Sequence, residues 1–289
     1  MDGFMHQVLA GLASGGTYAL LGLAAVMIYQ STHHLNFAQG EMAMFSTYLA
    51  WTALQAGFSY PASFAISVIV SFCGGVAIER FIIRRVHGRP QLTVVMLFVA
   101  LLFIFNSLAA LLFGYTPKTF PTPFAQIPAI GSYLSPHQLG STLVTLLLMA
   151  ALYWFFAFTK LGLAIRASAF NPKSAHLVGI SVGSMSALGW GIAAVLGAVS
   201  GMMVAPAVYL DPNMMGGVLI YGFAAALLGG LDSPWGAVLG GFLVGAIENV
   251  VGTYLIGTEL KLSVALALIV VVLIFRPQGL FGRKIVSRV

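Results

Sequence analysis

The sequence predicts an all-α integral membrane protein with eight or nine transmembrane helices. Of its 289 residues, 60% are hydrophobic and only 7% are charged, and the mean hydropathy is +0.98. A soluble domain carries about 25% charged residues, so this composition is typical of a chain that lies in lipid. The net charge of +6 does not indicate nucleic-acid binding, because the basic residues flank apolar runs and form no stripe.

Apolar runs long enough to cross a bilayer recur along the chain. A transmembrane helix needs about 20 apolar residues, because each residue rises about 1.5 Å through a core about 30 Å thick. The runs lie near 6–29, 40–57, 60–79, 91–113, 138–158, 181–208, 213–231, 235–256 and 258–275. Three of these runs are less clear as spans. The run 40–57 has the charged Glu41 at its start, and only the short "LDSP" stretch separates 213–231 from 235–256. One of the short runs is therefore either a span or a re-entrant segment.

Lysine and arginine are concentrated in three segments that nine alternating spans place on one side of the membrane. Eleven of the 13 basic residues lie there: Arg80, Arg84, Arg85, Arg89, Lys160, Arg166, Lys173, Arg276, Arg283, Lys284 and Arg288. The positive-inside rule makes that side cytoplasmic. We therefore expect a periplasmic N-terminus, a cytoplasmic C-terminus and an external, proline-rich loop over 114–137. Residues 1–289 then form a single transmembrane domain.

Glycines occur at the spacing that allows helix backbones to touch. Four pairs are separated by three residues: Gly11/Gly15, Gly197/Gly201, Gly236/Gly240 and Gly241/Gly245. In lipid no hydrophobic effect drives helices together, so small residues at this spacing favour close van der Waals packing. The pattern predicts generic packing within a helix bundle.

A short polar stretch, "RASAFNPKSAHLVGIS" over 166–181, lies between two apolar runs. Asn171 is a favourable N-cap, and Pro172 suits the first helical position because its missing N–H would be unpaired there. Gly179 suits the left-handed residue that follows a last helical turn, and Ser181 is placed to cap the next span. The sequence predicts a surface helix over 172–178, which is either part of an ordinary loop or a docking element.

Acidic residues near or within the predicted spans are the other candidates for function. An ionised acid in the bilayer centre is costly, at about 2.5–3.5 kcal/mol, so Glu248 and its neighbour Asn249 either line a pathway or are hydrogen-bonded in helix packing. Glu41 either orients the turn that contains Asn36 or lines the same pathway. Glu79 is expected to form an interfacial ion pair with the adjacent Arg80.

Several classes of protein are disfavoured by missing motifs. The sequence has no G-x-x-x-x-G-K-[ST] phosphate loop and no H-E-x-x-H, so we expect neither ATP hydrolysis by this chain nor another enzymatic activity. One cysteine, Cys73, predicts no internal disulfide and no metal site. A self-contained secondary transporter would need buried charge pairs along several spans, and the sequence shows hardly any.

Three stretches resemble a known family when they are read together. "TKLGLAIRASAFNPKSAHLVGI" (159–180), "GLASGGTYALLGLAAVMIYQSTHHLNFAQGEMAMF" (11–45) and "GGLDSPWGAVLGGFLVGAIE" (229–248) are similar to segments of the LivH-type permeases of branched-chain amino acid ABC transporters. The three matches cover most of the chain in the family's order. The stretch 159–180 resembles the cytoplasmic loop through which such permeases couple to their ATPases.

The resemblance implies a permease subunit in a bacterial inner membrane that imports branched-chain or related hydrophobic amino acids. Its partners would be a homologous second permease, two cytoplasmic ATPases that use ATP and Mg, a periplasmic binding protein and lipid, with no nucleic acid and no cofactor of its own. The implied coupling positions are Arg166, Ala167, Asn171, Ala175, Gly179 and Ile180. The polar residues available for a zwitterion's path are Asn36, Glu41, Glu248 and Asn249. Urea, short amides and aromatic acids are alternative cargoes of the same permease type.

Overall fold

The computed structural model describes residues 2–86, 88–124 and 134–282. Within these ranges the regular structure is helical, and the one β-type contact is an isolated bridge between Lys118 and Leu210. The helices are α1 (Asp2–Thr32), α2 (Gln39–Gln55), α3 (Tyr60–Ile78), α4 (Arg84–Val86), α5 (Gln91–Phe113), α6 (Pro136–Phe158), α7 (Lys160–Phe170), α8 (Pro172–Leu177), α9 (Val182–Val208), α10 (Met215–Gly229), α11 (Pro234–Val251) and α12 (Lys261–Phe275). The predicted all-α architecture is confirmed.

Each predicted apolar run corresponds to a helix. In the described part of the chain, seven helices are long and apolar enough to cross a membrane: Gly3–Thr32, Tyr60–Val86, Gln91–Phe113, Pro136–Phe158, Val182–Val208, Pro234–Ile256 and Thr258–Phe275. The two remaining runs form the shorter helices α2, with 17 residues, and α10, with 15. A span needs about 20 residues, so the question of eight or nine spans concerns these two helices.

The direction in which the chain crosses the membrane stays a prediction. Three residues of the basic tail (Arg283, Lys284 and Arg288) and residues 125–133 of the predicted external loop lie outside the described residues. Before that gap, the loop is attached to the strand-like segment after α9. The backbone N–H groups of Lys118 and Leu210 each donate to the other residue's carbonyl over 2.9 Å, and the Lys118 ammonium lies 4.9 Å from the centre of the Trp51 ring.

The chain forms two compact units. The first comprises Met1–Val26, Thr122–Leu143 and Gly216–Val289, and the second comprises Met27–Pro121 and Val144–Met215. Because α1 and α6 contribute residues to both units, the division does not follow the order of the helices. The assignment of 1–289 to one transmembrane domain stays a prediction.

In the first unit, two of the predicted glycine pairs pack against each other. An added Cβ atom on Gly11 of α1 would lie 2.6 Å from the carbonyl oxygen of Gly245 on α11, and one on Gly15 would lie 2.7 Å from that of Gly241. Such distances leave no room for any side chain, so the two backbones are in direct contact. The predicted role of these glycines in packing is confirmed.

In the second unit, α2, α3 and α9 form the core. On α9, Gly197 faces the side-chain amide of Gln39. Gly201 faces the hydroxyl of Thr47 and the carbonyl oxygen of Ala43, both on α2. The indole of Trp190, also on α9, is fully buried. The contacts of the Gly197/Gly201 pair confirm that this glycine pair also serves helix packing.

The predicted ion pair between Glu79 and Arg80 is wrong. The Glu79 carboxylate pairs with Arg84, whose Nη2 lies 2.7 Å from Oε2, whereas Arg80 is exposed. The reason is a π-helical turn over Glu79–Ile83 at the end of α3. A π-helical turn bonds residues five apart, so the side chains of residues 79 and 84 meet on one face.

Candidate functional site

The polar stretch after α6 folds into two helices that share one residue. The backbone N–H of Asn171 donates to the carbonyl of Ala167 over 3.0 Å and so closes α7. Its side-chain oxygen accepts from the N–H of Ser174 over 3.0 Å and so caps α8, with Pro172 in the first turn. The predicted N-cap is confirmed. The extended backbone of Asn171 therefore sets the angle between α7 and α8.

The other end of α8 is closed by a Schellman motif. The N–H of Gly179 donates to the carbonyl of His176 over 3.1 Å, and the N–H of Ile180 donates to that of Ala175 over 3.0 Å. This pattern requires a left-handed residue after the helix, and Gly179 has φ +84°. The predicted left-handed glycine is confirmed, and five of the six proposed coupling residues lie at the caps of α7 and α8.

The helix α8 presents most of its side chains to the outside. Ala175 is buried with 3% exposure, whereas Lys173 and His176 are exposed, as are Leu177 at 86% and Val178 at 75%. An open cleft of about 560 Å³ runs beside α8 and the first turn of α9. Exposed apolar side chains therefore lie beside basic ones on this surface.

Two features of this region differ from the prediction. The segment 160–170 was expected to be loop, but it forms α7, capped by the Thr159 hydroxyl, which accepts from the N–H of Gly162 over 3.0 Å. Ser181 does occupy the N-cap of α9, yet its hydroxyl contacts that of Ser184 and caps no backbone N–H. Arg166 lies on α7 and is exposed.

Asn36 organises the turn before α2. It is fully buried, and its side-chain oxygen accepts from the N–H of Ala38 over 3.0 Å. Gln39, also fully buried, donates from Nε2 to the carbonyl of Ala193 on α9 over 3.0 Å. Gly197 makes room for that amide, since an added Cβ would lie 2.8 Å from it. The side chain of Gln39 therefore connects this turn to α9. Gln39 lies within "NFAQGE" but was not among the predicted site residues.

Glu41 lies in the first turn of α2, and its carboxylate contacts α5. Its carboxylate is buried at 7% exposure and accepts from the side-chain amide of Asn106 on α5 over 3.3 Å. The same amide donates to the carbonyl of Pro212 over 2.9 Å. The sequence offered one indication of this contact. Apart from Gln91 at its start, the apolar run 91–113 contains a single amide side chain, that of Asn106, which needs a polar partner.

In the first unit, Glu248 belongs to a buried polar cluster of α1, α11 and α12. Its exposure is 5%, its Oε1 lies 3.9 Å from the Lys261 ammonium, and its Oε2 accepts from the Tyr18 hydroxyl over 3.5 Å. The neighbouring Asn249 accepts from Lys261 over 2.6 Å and donates to the backbone carbonyl of Gln7 over 2.7 Å. The structure thus brings Glu248 and Asn249 together around one cation.

Lys261 and Lys118 are the two basic residues outside the three segments that the positive-inside rule makes cytoplasmic, and neither was predicted to belong to a site. Lys261 and Asn249 are twelve positions apart and lie in different helices, so helical periodicity gives no indication of the contact. The four polar residues considered for a path fall into two groups. Asn36 and Glu41 belong to the second unit, and Glu248 and Asn249 to the first. Within the described ranges, His, Cys, Asp and Glu side chains form no group of three that would hold a metal ion.

The substitution Lys261→Met should destabilise the first unit by about 2 kcal/mol, because it leaves the buried Glu248 carboxylate without its cation. Its cost is lower than that of breaking a fully buried pair, since the lysine side chain is 27% exposed. Thermal unfolding of the purified protein in detergent measures the change. The double variant Glu248→Gln/Lys261→Met serves as the control and should recover most of the loss. If the double variant is as unstable as Lys261→Met, the pairing is not the cause.

Comparisons with known proteins agree over nearly the whole chain. Residues 7–273 match the family described as "Branched-chain amino acid transport system / permease component". The high-affinity branched-chain amino acid transport system permease protein BraD of Pseudomonas aeruginosa is 33% identical over 302 residues, covering 99% of this chain and 98% of that protein. The corresponding protein LivH of Salmonella typhimurium is 30% identical over the same shares. The autoinducer 2 import system permease protein LsrC of Photorhabdus luminescens is 24% identical, covering 84% of this chain and 70% of that protein.

Proposed function

This chain belongs to the family of permease components of branched-chain amino acid transport systems, and from that premise we propose that it forms the translocation path of an ATP-driven importer. The proposed cargo is a branched-chain or related hydrophobic amino acid. The proposed location is a bacterial inner membrane, with the N-terminus periplasmic and α7 and α8 on the cytoplasmic side. Permeases of this family are not enzymes themselves, so the energy for transport comes from other subunits.

The observation that carries this proposal is the helix α8, which is capped at both ends and exposes every side chain except that of Ala175. Asn171 fixes its start and the Schellman motif at Gly179 fixes its end. A short helix held in this way moves as a rigid body, whereas an uncapped loop would absorb a displacement by bending. The exposed side chains of Leu177 and Val178 are suited to a groove in a cytoplasmic ATPase.

The proposed partners follow from this role. Two ATPase subunits bind ATP and Mg. They contact α8 and, on α7, Arg166 and Ala167. A homologous second permease completes the membrane core, and a periplasmic binding protein delivers the substrate. Surrounding lipid covers the exposed apolar side chains, and no nucleic acid takes part.

The path of a zwitterionic amino acid needs polar groups for its charged ends and apolar walls for its side chain. Charged and amide side chains are scarce in the spans, so we assign the polar role to Asn36, Glu41, Glu248 and Asn249. Glu41 in the second unit and Glu248 in the first are each assigned as an acceptor for an ammonium group along the path. LsrC, another relative, is named for autoinducer 2 import, so relatives of this chain are named for different cargoes. Identifying the ligand bound by the binding protein that works with this chain would test the proposed cargo directly.

A second candidate function is a self-contained secondary transporter. The buried Glu248–Lys261 pair is the observation that favours it, since intramembrane charge pairs mark ion-coupled pathways. In that case the chain would couple uptake to an ion gradient and would need no ATPase.

Reconstitution in proteoliposomes separates the two functions. We expect concentrative leucine uptake only when the chain is assembled with its companion permease, its ATPases, the binding protein and ATP. The chain alone, supplied with a proton or sodium gradient, should give no uptake above that of empty liposomes, because in the proposed importer the energy comes from ATP hydrolysed by other subunits. Uphill uptake by the chain alone would establish the second candidate and reject the first.

A further inference from the structure

A single arginine joins the end of α3 to the beginning of α9. The guanidinium of Arg84 donates to the Glu79 carboxylate over 2.7 Å and to the backbone carbonyl of Gly183 over 2.6 Å. The carboxylate it meets is almost fully enclosed, with 4% of the Glu79 side chain exposed, while the arginine side chain is 42% exposed. We call these three residues the Arg84 bridge.

The local backbone is shaped for this bridge at both ends. The π-helical turn over Glu79–Ile83 brings the side chains of residues 79 and 84 to the same face, and such turns occur frequently at functional sites. At the other end, an added Cβ on Gly183 would lie 3.0 Å from the central guanidinium carbon. The glycine therefore leaves the space in which the planar guanidinium reaches the backbone, and a bidentate arginine is better suited to both contacts than a lysine.

One end of the Arg84 bridge, Gly183, lies a few residues after the proposed coupling helix α8. Gly179 ends α8, Ser181 is the N-cap of α9, and Gly183 lies in the first turn of α9. Any displacement of α8 is therefore passed first to this turn. Because Arg84 holds the turn to Glu79, the displacement also reaches α3, which packs against α9 along the core of the second unit, with the backbone of Gly75 facing Trp190.

We propose that Arg84 is a positioning residue for transport: it makes α3 and α9 move together when α8 is displaced. This inference rests on the proposed function, in which ATPases displace α8. It assigns to Arg84 a role that does not involve contact with the substrate or with nucleotide. Without the bridge, ATP hydrolysis would continue but less of it would be converted into transport.

The neighbouring arginine provides a matched control. Arg85 lies in the same short helix, is exposed, and its guanidinium donates to the carbonyl of Phe81 in its own helical segment over 2.7 Å. Arg85→Ala removes the same charge and side-chain volume as Arg84→Ala but leaves the link to α9 intact. A general effect of basic residues at this surface would change both variants alike.

The test measures leucine transported per ATP hydrolysed by the assembled transporter in proteoliposomes. We expect this ratio to fall about threefold or more in Arg84→Ala, to fall less in Arg84→Lys, and to stay at the wild-type value in Arg85→Ala. A variant that is merely less stable reduces transport and hydrolysis together and leaves the ratio unchanged. If Arg84→Ala does not assemble, the decrease in Arg84→Lys decides.

The two proposals fail in different ways. An unchanged ratio in every Arg84 variant that assembles, beside ATP-dependent uptake by the wild type, would overturn the Arg84 bridge alone. Uptake by the wild-type complex that does not depend on ATP would overturn the proposed function and this inference with it.

Discussion

The substitution Gly75→Leu is expected to reduce strongly the yield and the stability of folded protein. A Cβ atom at this position would lie 2.6 Å from the carbonyl oxygen of Trp190 and 2.8 Å from the Cβ of Ala194. Backbone cannot move aside as a flexible side chain can, so α3 would have to separate from α9 in the core of the second unit. We expect a cost of about 3 kcal/mol, measured as the loss of monodisperse protein after detergent extraction and as a lower midpoint of thermal unfolding.

The preceding residue gives the control for this prediction. Gly74 lies in the same helix, and an added Cβ there meets no atom within 4 Å. Gly74→Leu should therefore yield protein at the wild-type level, because it gains helix propensity and adds an apolar side chain to an open surface. Equal yields and equal unfolding temperatures for the two variants would show that close contact between α3 and α9 is not what stabilises this unit.

The substitution Gly179→Val is expected to reduce ATP-driven uptake at least about tenfold while the protein still accumulates. The space around position 179 is open, since an added Cβ would meet nothing within 4 Å, so crowding is not the cause. The backbone has φ +84°, which a β-branched residue adopts only at a cost of about 1–3 kcal/mol. Relief of that strain breaks the two hydrogen bonds of the Schellman motif and frays α8. Uptake of labelled leucine by the assembled transporter, normalised to the amount of permease, measures the loss.

An asparagine at the same position separates backbone strain from the loss of glycine. Asparagine tolerates the left-handed region far better than valine, so Gly179→Asn should keep most of the wild-type uptake. If the two variants transport equally well, the rigidity of α8 is not required for coupling, and the proposed role of this helix is wrong.

The most local features of the structure could be predicted from the residues in order. Spans followed from apolar runs of sufficient length, and the start and end of α8 followed from Asn171, Pro172 and Gly179. In each case the cause lies within a few residues of the effect, because backbone caps and helix length depend on near neighbours. Residues 160–170 were missed as a helix, although Thr159 before them is a favourable N-cap residue, because a segment of 11 residues is shorter than the apolar runs that indicate spans.

The contacts that define the candidate sites could not be predicted in this way. The amide of Gln39 reaches a carbonyl on α9, and the cation beside Glu248 comes from Lys261 on the next helix. The partner of Glu79 was assigned to the adjacent Arg80, whereas the π-helical turn brings Arg84, five residues along the chain, to the same face.

The order of amino acids was enough to establish a multi-span helical membrane protein, the capped surface helix and the glycine faces, because helix formation in lipid satisfies every backbone hydrogen bond within the segment itself. The three-dimensional packing decided which polar groups meet. Buried charges and amides are satisfied by whatever lies opposite them after the helices assemble, and residues far apart in the chain become neighbours only at that stage.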